Sequence, residues 1–227
     1  MRWIDIGSGT GALTSVLLNA VLPADVCGID ASQDYIDYAR ANVRAPHVTF
    51  EAGDAVALSK PDAAYDYAVS GLALNFVSDP AHMVAEMRRV VRPGGTVALY
   101  VWDYAGDMQM VRYFWDAAVA LDPNAAPLDE GRRFPLCRPD ALTALFEGAA
   151  LADIAIRAID APTFFRNFDD YWTPFLGGQG PAPGYVMSLS EEGRAALRER
   201  VRSQLPVGTD GSIDLVARAW AVRGTRV

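Results

Sequence analysis

A chain of 227 residues is long enough for one well-buried domain. Hydrophobic residues make up 51% and charged residues 21%, which is typical of a globular protein and excludes a disordered one. The net charge of −8, with a single lysine at Lys60, argues against nucleic acid or an anionic membrane surface as a partner, because both need clustered basic residues.

The first hundred residues alternate short apolar runs with amphipathic segments. This alternation predicts βαβ units, a parallel sheet and right-handed crossovers. The Pro-Gly-Gly run at 93–95 is interpreted as a helix stop followed by a turn. Strands are expected at 3–6, 26–30, 47–51, 65–70 and 96–102, and helices at about 10–22, 32–42 and 80–91.

Beyond Trp102 the alternation is less regular. We interpret residues 1–227 as one domain, with 1–102 as its cofactor-binding half and 103–134 and 160–206 as insertions that form a substrate lid. The aromatic residues of the second insertion are typical of a small core more than of a substrate cage. Helices are expected at about 108–121, 139–146 and 191–204, and strands at 151–159 and 214–222.

The cysteines and the hydropathy pattern further limit which classes of protein the chain can belong to. Cys27 and Cys137 lie far apart, so the sequence predicts neither a disulfide framework nor a metal site. No apolar run reaches membrane-spanning length, and we expect no signal peptide before the first strand. These observations predict a cytoplasmic protein.

Three glycines at alternate positions, Gly7, Gly9 and Gly11, follow the first strand and open a helical pattern. Glycine permits positive φ in a tight turn and lets the backbone approach a ligand closely. The helix that follows points free N–H groups at whatever the turn holds. A dinucleotide loop and an S-adenosylmethionine (SAM) loop both fit this pattern, and the plain alternative is an ordinary strand-to-helix turn.

Two acidic residues follow the next two strands. Asp30 could accept both hydroxyls of a ribose, which fits NAD and SAM equally; the plain alternative is a helix cap or a surface acid. Asp54 could accept the exocyclic amine of an adenine, with the Ala55 N–H facing a ring nitrogen. The alternative there is an ordinary turn built by Gly53 and Asp54.

Taken together, these motifs resemble the class I SAM-dependent methyltransferases. The resemblance covers five motifs in matching order from Trp3 to about Trp102, and the subgroup is similar to the small-molecule methyltransferases of ubiquinone and menaquinone biosynthesis. It implies an α/β fold with a Rossmann-like doubly wound sheet of seven strands, the last antiparallel, plus a small helical lid. It also implies SAM as the cofactor and a small molecule as the methyl acceptor.

The resemblance assigns roles residue by residue. The glycines would line the methionine and ribose of the cofactor, and Asp5 would support their loop. Ser70 would offer its backbone carbonyl to the methionine ammonium, with Leu72 alongside. The implied cofactor-binding set is Asp5, Gly7, Ser8, Gly9, Gly11, Asp30, Ala31, Asp54, Ala55, Ser70 and Leu72.

One departure from the family pattern concerns the start of the chain. Members usually carry one or two helices before the first strand that cover the cofactor, whereas here Met1 leads directly into that strand. The expectation is either a start internal to a longer gene, a shortened chain, or an open cofactor site.

The implied reaction is an in-line displacement at the sulfonium methyl by a nitrogen, oxygen, sulfur or carbon nucleophile. Alignment supplies much of the catalysis, and a base is needed only for a nucleophile with a high pKa. The sequence names no convincing base. Asn75, Asp103 and Tyr104 are weak candidates for touching the acceptor, because they follow the fourth and fifth strands at the edge where ligands bind.

Three rival interpretations stay open. An NAD-dependent oxidoreductase would share the glycine loop and Asp30, although the chain has no Tyr-x-x-x-Lys pair for hydride chemistry. Another use of SAM, such as a cyclisation or a decarboxylation, would share every cofactor residue. A truncated, non-catalytic copy would keep the fold without the cofactor. The oligomeric state and the acceptor do not follow from the sequence.

Overall fold

The computed structural model describes residues 1–177 and 180–227, and its centre is a seven-stranded sheet in the order β3-β2-β1-β4-β5-β7-β6. Strands β1 to β5 pair in parallel, and the final strand is antiparallel, so the sheet is mixed. The predicted α/β Rossmann-like fold is therefore confirmed. The strands are β1 Arg2–Ile6, β2 Asp25–Asp30, β3 Val48–Ala52, β4 Tyr65–Gly71, β5 Val91–Trp102, β6 Leu151–Phe165 and β7 Ile213–Arg226.

Helices flank the strands and begin where the sequence supplies a cap. Ser32 Oγ accepts the Tyr35 N–H at 3.3 Å, and Asp79 Oδ1 accepts the His82 N–H at 3.0 Å, so both predicted helix starts are capped by side chains. The helices are α1 Ala12–Ala20, α2 Gln33–Asn42, α3 Pro80–Val90, α4 Gln109–Leu121, α5 Glu130–Arg133, α6 Pro139–Gly148, α7 Phe168–Trp172, α8 Pro181–Ser188 and α9 Glu191–Gln204.

The turn predicted at Pro-Gly-Gly is wrong. Helix α3 passes directly into β5, where Val91 pairs with Tyr65 and Thr96 pairs with Tyr67. Residues 92–95 therefore bulge outward within the strand, and the first of the two glycines has a φ of +74°. Proline and glycine are typical of a bulge as well as of a turn, and only the pairing with β4 distinguishes the two.

Two further boundaries differ from the prediction. Strand β6 continues to Phe165 instead of ending at Ile159, and β7 continues to Arg226 instead of ending at Val222. After β6, the chain up to residue 206 is largely helical among the described residues. The glycine- and proline-rich run at 177–181 is typical of a break between helices, and two of its residues, Gly178 and Gln179, lie outside the described residues.

The chain divides into two compact units, each with its own interior. One unit comprises Met1–Val101, Pro139–Arg157 and Trp220–Val227. The other comprises Trp102–Arg138 and Ala158–Ala219. The interior of this second unit contains the aromatic cluster, as the composition predicts, and its buried members include Phe114, Trp115, Phe165, Phe168, Tyr171, Trp172 and Phe175.

Helix α1 is apolar on nearly every side. Its Thr14 is buried, whereas Val16 is 59% exposed, and Leu22 just beyond the helix is 84% exposed. A helix that is apolar all round is usually buried on all sides. No helix within the described ranges is long and apolar enough to cross a membrane.

Candidate cofactor site

The glycine loop lies at the carboxyl end of β1 and is held by the neighbouring strand. The backbone N–H groups of Gly7 and Ser8 both donate to the carbonyl oxygen of Ile29, at 2.8 and 2.9 Å. Gly7 has a φ of +71°, and a Cβ placed there would lie 2.3 Å from the Ala73 Cβ. The loop therefore requires glycine for both its conformation and its closeness to the chain after β4.

Asp30 braces this loop from the end of β2. Its Oδ2 accepts the Gly9 N–H at 2.8 Å, and its Oδ1 accepts the Ser32 N–H at 2.9 Å. A carboxylate has about four lone-pair positions, so two acceptor positions stay open for hydroxyl donors. The side chain is partly exposed at the site, which suits the predicted contact with a ribose.

Asp5 lies beneath the loop and is fully buried. Thr14 donates its hydroxyl to Asp5 Oδ2 at 2.7 Å, while Asp5 Oδ1 has no partner in the described structure. Burial raises the pKa of Asp5 to about 6, partly offset by the bond from Thr14. The negative charge of Asp30 raises it further. This carboxyl is bonded to Thr14 in the first turn of α1, the helix that follows the loop, and it can take up a proton near pH 6.

A cleft of about 720 Å³ opens at the carboxyl ends of β1, β2 and β3, entirely within the first unit. Its volume lies in the range of small-molecule and cofactor sites. Two of its walls carry carboxylates, and none of its lining residues is basic. The predicted residues that line it are Gly7, Asp30, Ala31, Asp54 and Ala55.

Asp54 lies in an ordinary turn, which the sequence offered as the alternative to a contact with adenine. Its Oδ1 accepts the Val56 N–H at 3.0 Å, while its exposed side chain also lines the cleft. Turn formation and a ligand contact are compatible, because the second carboxylate oxygen, Oδ2, has no hydrogen-bond partner among the described residues.

Sequence reasoning missed Phe76 at this cleft. The residue ends a short 3₁₀ turn, Leu74–Phe76, and its ring is 75% exposed while it lines the cleft. The available signal was an apolar aromatic beside Asn75 in a loop after a buried strand. Asn75 itself lies between two lining residues, Ala73 and Phe76, and is partly exposed.

Ser70 and Leu72 lie at the end of β4, and Ser70 lines a different cavity. That cavity has a volume of about 640 Å³ and lies in the same unit. Ser70 is buried and its Oγ has no partner among the described residues. Leu72 adopts a φ of +61°, and its N–H donates to the Tyr100 carbonyl at 2.9 Å. A Cβ at Gly71 would lie 2.6 Å from the Tyr100 hydroxyl oxygen. Tyr100 is a second residue near the predicted site that the sequence did not point to.

The candidates after β5 belong to the second unit. Asp103 is buried, and its Oδ2 accepts the Asp107 N–H at 2.9 Å, as a loop cap does. Tyr104 lies 5.5 Å from the Phe134 ring, measured between ring centroids. Burial raises the pKa of Tyr104 to about 12, and the negative charge of Glu130 adds to the increase. Tyr104 is therefore protonated at neutral pH and is a hydrogen-bond donor rather than a base.

The residues present fit SAM. Three buried oxygen atoms under or beside the loop have no partner in the described part of the chain: Asp5 Oδ1, Ser8 Oγ and Ser70 Oγ. Buried polar atoms without partners are rare in native structures and mark the position of a water or a ligand. The acidic, non-basic cleft suits a cationic sulfonium better than a pyrophosphate.

Comparison with known proteins agrees with this geometry. A family profile described as a methyltransferase domain matches residues 4–99. The chain is 31% identical over 218 residues to 27-O-demethylrifamycin SV methyltransferase of Amycolatopsis mediterranei, covering 82% of this chain and 75% of that protein. It is 28% identical over 196 residues to 2-methyl-6-phytyl-1,4-hydroquinone methyltransferase of Synechocystis, covering 83% of this chain and 60% of that protein.

The fold has a close structural counterpart. The crystal structure of the YcgJ protein from Bacillus subtilis aligns with a TM-score of 0.63 at 19% identity, covering 99% of this chain and 91% of that one. The chain spans 28%, 33% and 60% of the length of three curated relatives that it matches. The similarity to the rifamycin enzyme nevertheless extends over three quarters of that relative, and the profile match lies on the half that carries the glycine loop. The chain therefore belongs to the class I SAM-dependent methyltransferase family.

Proposed function

We propose that this chain transfers a methyl group from SAM to a small-molecule acceptor by in-line displacement. The observation that carries the proposal is the 720 Å³ cleft, which gathers Gly7, Asp30 and Asp54 at the carboxyl edge of a parallel sheet. That edge is where ligands bind in open α/β sheets.

The roles of the individual residues follow from their contacts. The glycines at Gly7 and Gly9 let the backbone approach the ligand closely. Asp30, which already accepts the Gly9 N–H, accepts the ribose hydroxyls as well. Asp54 and Ala55 receive the adenine. The partnerless Ser70 and the strained Leu72 lie beside the methionine end.

When bound, SAM supplies an electrophilic methyl group on a sulfonium. The chain's own contribution is alignment and exclusion of water, which in ideal intramolecular reactions supplies roughly 7–11 kcal/mol of the barrier reduction. Asn75 is our first choice for a contact with the acceptor, because Phe76 directly after it and Ala73 two residues before it line the cleft.

The acceptor class is suggested by the relatives. Two of them are named for a phytyl hydroquinone and for a demethylrifamycin. We propose a phenol, hydroquinone or similar hydroxylated ring as the first acceptors to test.

Calorimetric titration of the chain with SAM, S-adenosylhomocysteine and NAD tests the cofactor. We expect binding of the two adenosyl ligands at roughly micromolar dissociation constants, corresponding to about 8 kcal/mol, and no heat from NAD. Asp30→Asn should weaken SAM binding by roughly 1–3 kcal/mol, because a charged hydrogen bond contributes about that much. Asp34→Asn, an exposed acid on α2, is the matched control and should leave the affinity unchanged.

Each alternative has its own signature in this experiment. Heat from NAD alone would support the oxidoreductase, and silence from all three ligands would support a non-catalytic copy. If SAM binds, transfer of a labelled methyl group to a panel of phenols and hydroquinones separates methyl transfer from other uses of SAM. Consumption of SAM without a methylated product would contradict the proposal.

A further inference from the structure

The cavity of about 640 Å³ that Ser70 lines extends well beyond the residues assigned to the cofactor. It lies entirely within the first unit and reaches from Ser70 on β4, across β5 and β7, to Arg157 on β6. Leu13 of α1 also lines it. Its volume is in the range of small-molecule sites, and the proposed reaction leaves most of it unused.

The lining residues give this cavity the shape of a trough. The strands β5, β6 and β7 each contribute three consecutive residues, at 98–100, 155–157 and 221–223. Three residues span about 7 Å along a strand, whereas the three strand spacings from β4 to β6 amount to about 14 Å. A space about twice as long as it is wide suits a linear chain better than a compact ring.

Small and aliphatic side chains line most of the trough. Ala98, Ala155 and Ala221 come from the three neighbouring strands β5, β6 and β7, and all three are at least partly exposed. Leu13 and Val69 add branched side chains towards β4. A ligand with an alkyl chain would cover apolar surface here that is open to solvent, which favours binding.

Two arginines make the β6 and β7 end of the trough positive. Arg157 and Arg223 are exposed, and neither side chain has a hydrogen-bond or ion-pair partner among the described residues. Arg218, by contrast, lies on β7 as well and pairs with two carboxylates, those of Asp107 and Asp160. The described residues that line the trough include no acid.

This arrangement is suited to an anion. Because neighbouring strands lie about 4.8 Å apart, one anion at this end can contact both guanidinium groups. Arginine binds carboxylates through paired N–H donors, and such charged hydrogen bonds are among the stronger ones in proteins. The trough therefore has the opposite charge preference to the cofactor cleft, where the charged lining residues are acidic.

We propose that the trough binds an alkyl carboxylate, a fatty acid of medium chain length. Its carboxylate contacts Arg157 and Arg223, and its chain lies over Ala221 and Ala98 towards Leu13. Binding involves no covalent step and needs no cofactor. The proposal therefore does not depend on methyl transfer, and the two can fail separately.

Calorimetric titration of the full chain with decanoate, in the absence of SAM, tests this site. We expect a dissociation constant of roughly 10–100 µM. Acetate lacks the chain and 1-decanol lacks the charge, so each should bind at least about tenfold more weakly. Arg157→Gln and Arg223→Gln should each weaken decanoate binding about tenfold and leave 1-decanol unaffected, because each change removes one charged contact. Arg200→Gln, an exposed arginine on α9, is the matched control and should change nothing.

A change in the lining of the trough tests where the chain lies. Ala98→Leu places a larger side chain in the trough and should weaken decanoate binding tenfold or more, and urea unfolding checks that this variant still folds. The proposal is overturned if decanoate gives no heat, if 1-decanol binds equally well, or if neither arginine change matters. It is also overturned if a folded Ala98→Leu chain binds as the unmodified chain does, because the ligand would then lie elsewhere, such as on the exposed Val16 and Leu22.

Discussion

The contact between Gly7 and Ala73 shows how closely the cofactor loop is fitted to the chain after β4. Gly7→Ala would set a Cβ 2.3 Å from the Ala73 Cβ and would also strain a backbone with a φ of +71°. Gly9→Ala carries similar backbone strain, at a φ of +53°, but its Cβ would meet nothing within 4 Å. We expect Gly7→Ala to lower the free energy of unfolding by roughly 1–3 kcal/mol more than Gly9→Ala, the usual cost of overpacking.

Urea unfolding of both variants measures this difference. The second change Ala73→Gly should recover most of the extra loss in Gly7→Ala, because it removes the atom that the new methyl group meets. Equal losses in the two single variants would show that backbone strain, and not the contact with Ala73, explains the requirement for glycine.

The buried Asp5 makes stability depend on pH in an unusual direction. Its pKa of about 6 in the folded chain exceeds the ordinary value of 3.8, so between about pH 4 and 6 the folded chain holds a proton that the unfolded chain has released. Its stabilising contribution is complete at low pH and is lost as the pH rises through 6, and it amounts to roughly 3 kcal/mol at 1.36 kcal/mol per pKa unit.

Asp5→Asn removes this titration and tests it. From pH 4 to pH 7 the unmodified chain should lose roughly 2–2.5 kcal/mol of unfolding free energy relative to Asp5→Asn, since the unfolded carboxyl is still partly protonated at pH 4. Paired measurements with the exposed Asp34→Asn variant should show no such difference. Parallel curves for Asp5→Asn and the unmodified chain would contradict a raised pKa at this carboxyl.

At the scale of elements, Arg226 in β7 caps the carboxyl end of α3. Its guanidinium Nη1 donates to the carbonyl oxygens of Arg88, Arg89 and Val91, at 3.2, 2.7 and 2.6 Å. A cation at a helix carboxyl terminus also interacts favourably with the helix dipole. Arg226→Gln should therefore lower the free energy of unfolding by about 1–3 kcal/mol in urea titration, whereas the exposed Arg223→Gln on the same strand should have little effect.

Local sequence signals predicted those helix ends that are set by residues close to them in the sequence. The cap at Ser32 and the Asp79-Pro80 start of α3 were readable, because a cap is formed by residues within one turn of the helix. The bulge at 92–95 and the length of β6 could not be predicted in this way, because each depends on which strand pairs with it in the sheet. The hydrophobic periodicity of a sequence describes a single strand, whereas the register and length of pairing are properties of two strands together.

For the whole molecule, the sheet order with β7 between β5 and β6 could be expected only from the family resemblance, since nothing local specifies where the last strand inserts. The candidate site was predicted in part. Asp30, Ala31, Asp54 and Ala55 lie on one cleft, while Ser70 lines another cavity, a separation that follows from packing rather than spacing. Phe76 was missed because an exposed aromatic in a loop has no distinctive pattern in one sequence.

The net charge of −8 is a property of the whole chain with a direct test. Without a basic surface there is little release of counterions to drive binding to phosphates, so we expect no mobility shift of double-stranded DNA at low salt with roughly 50 µM protein. A shift that weakens as salt rises would contradict this and would reveal clustered arginines that the overall charge conceals.

The exposed apolar side chains on and after α1 affect how the protein binds to hydrophobic materials. With Val16 59% and Leu22 84% exposed, the folded chain presents large apolar side chains to solvent on α1 and just beyond its carboxyl end. The native protein should enhance the fluorescence of a hydrophobic dye and be retained on a phenyl column. Val16→Ser with Leu22→Ser should reduce both signals without lowering the melting temperature, since neither side chain is buried. Adsorption, more than net charge, will then decide how this protein is purified and stored.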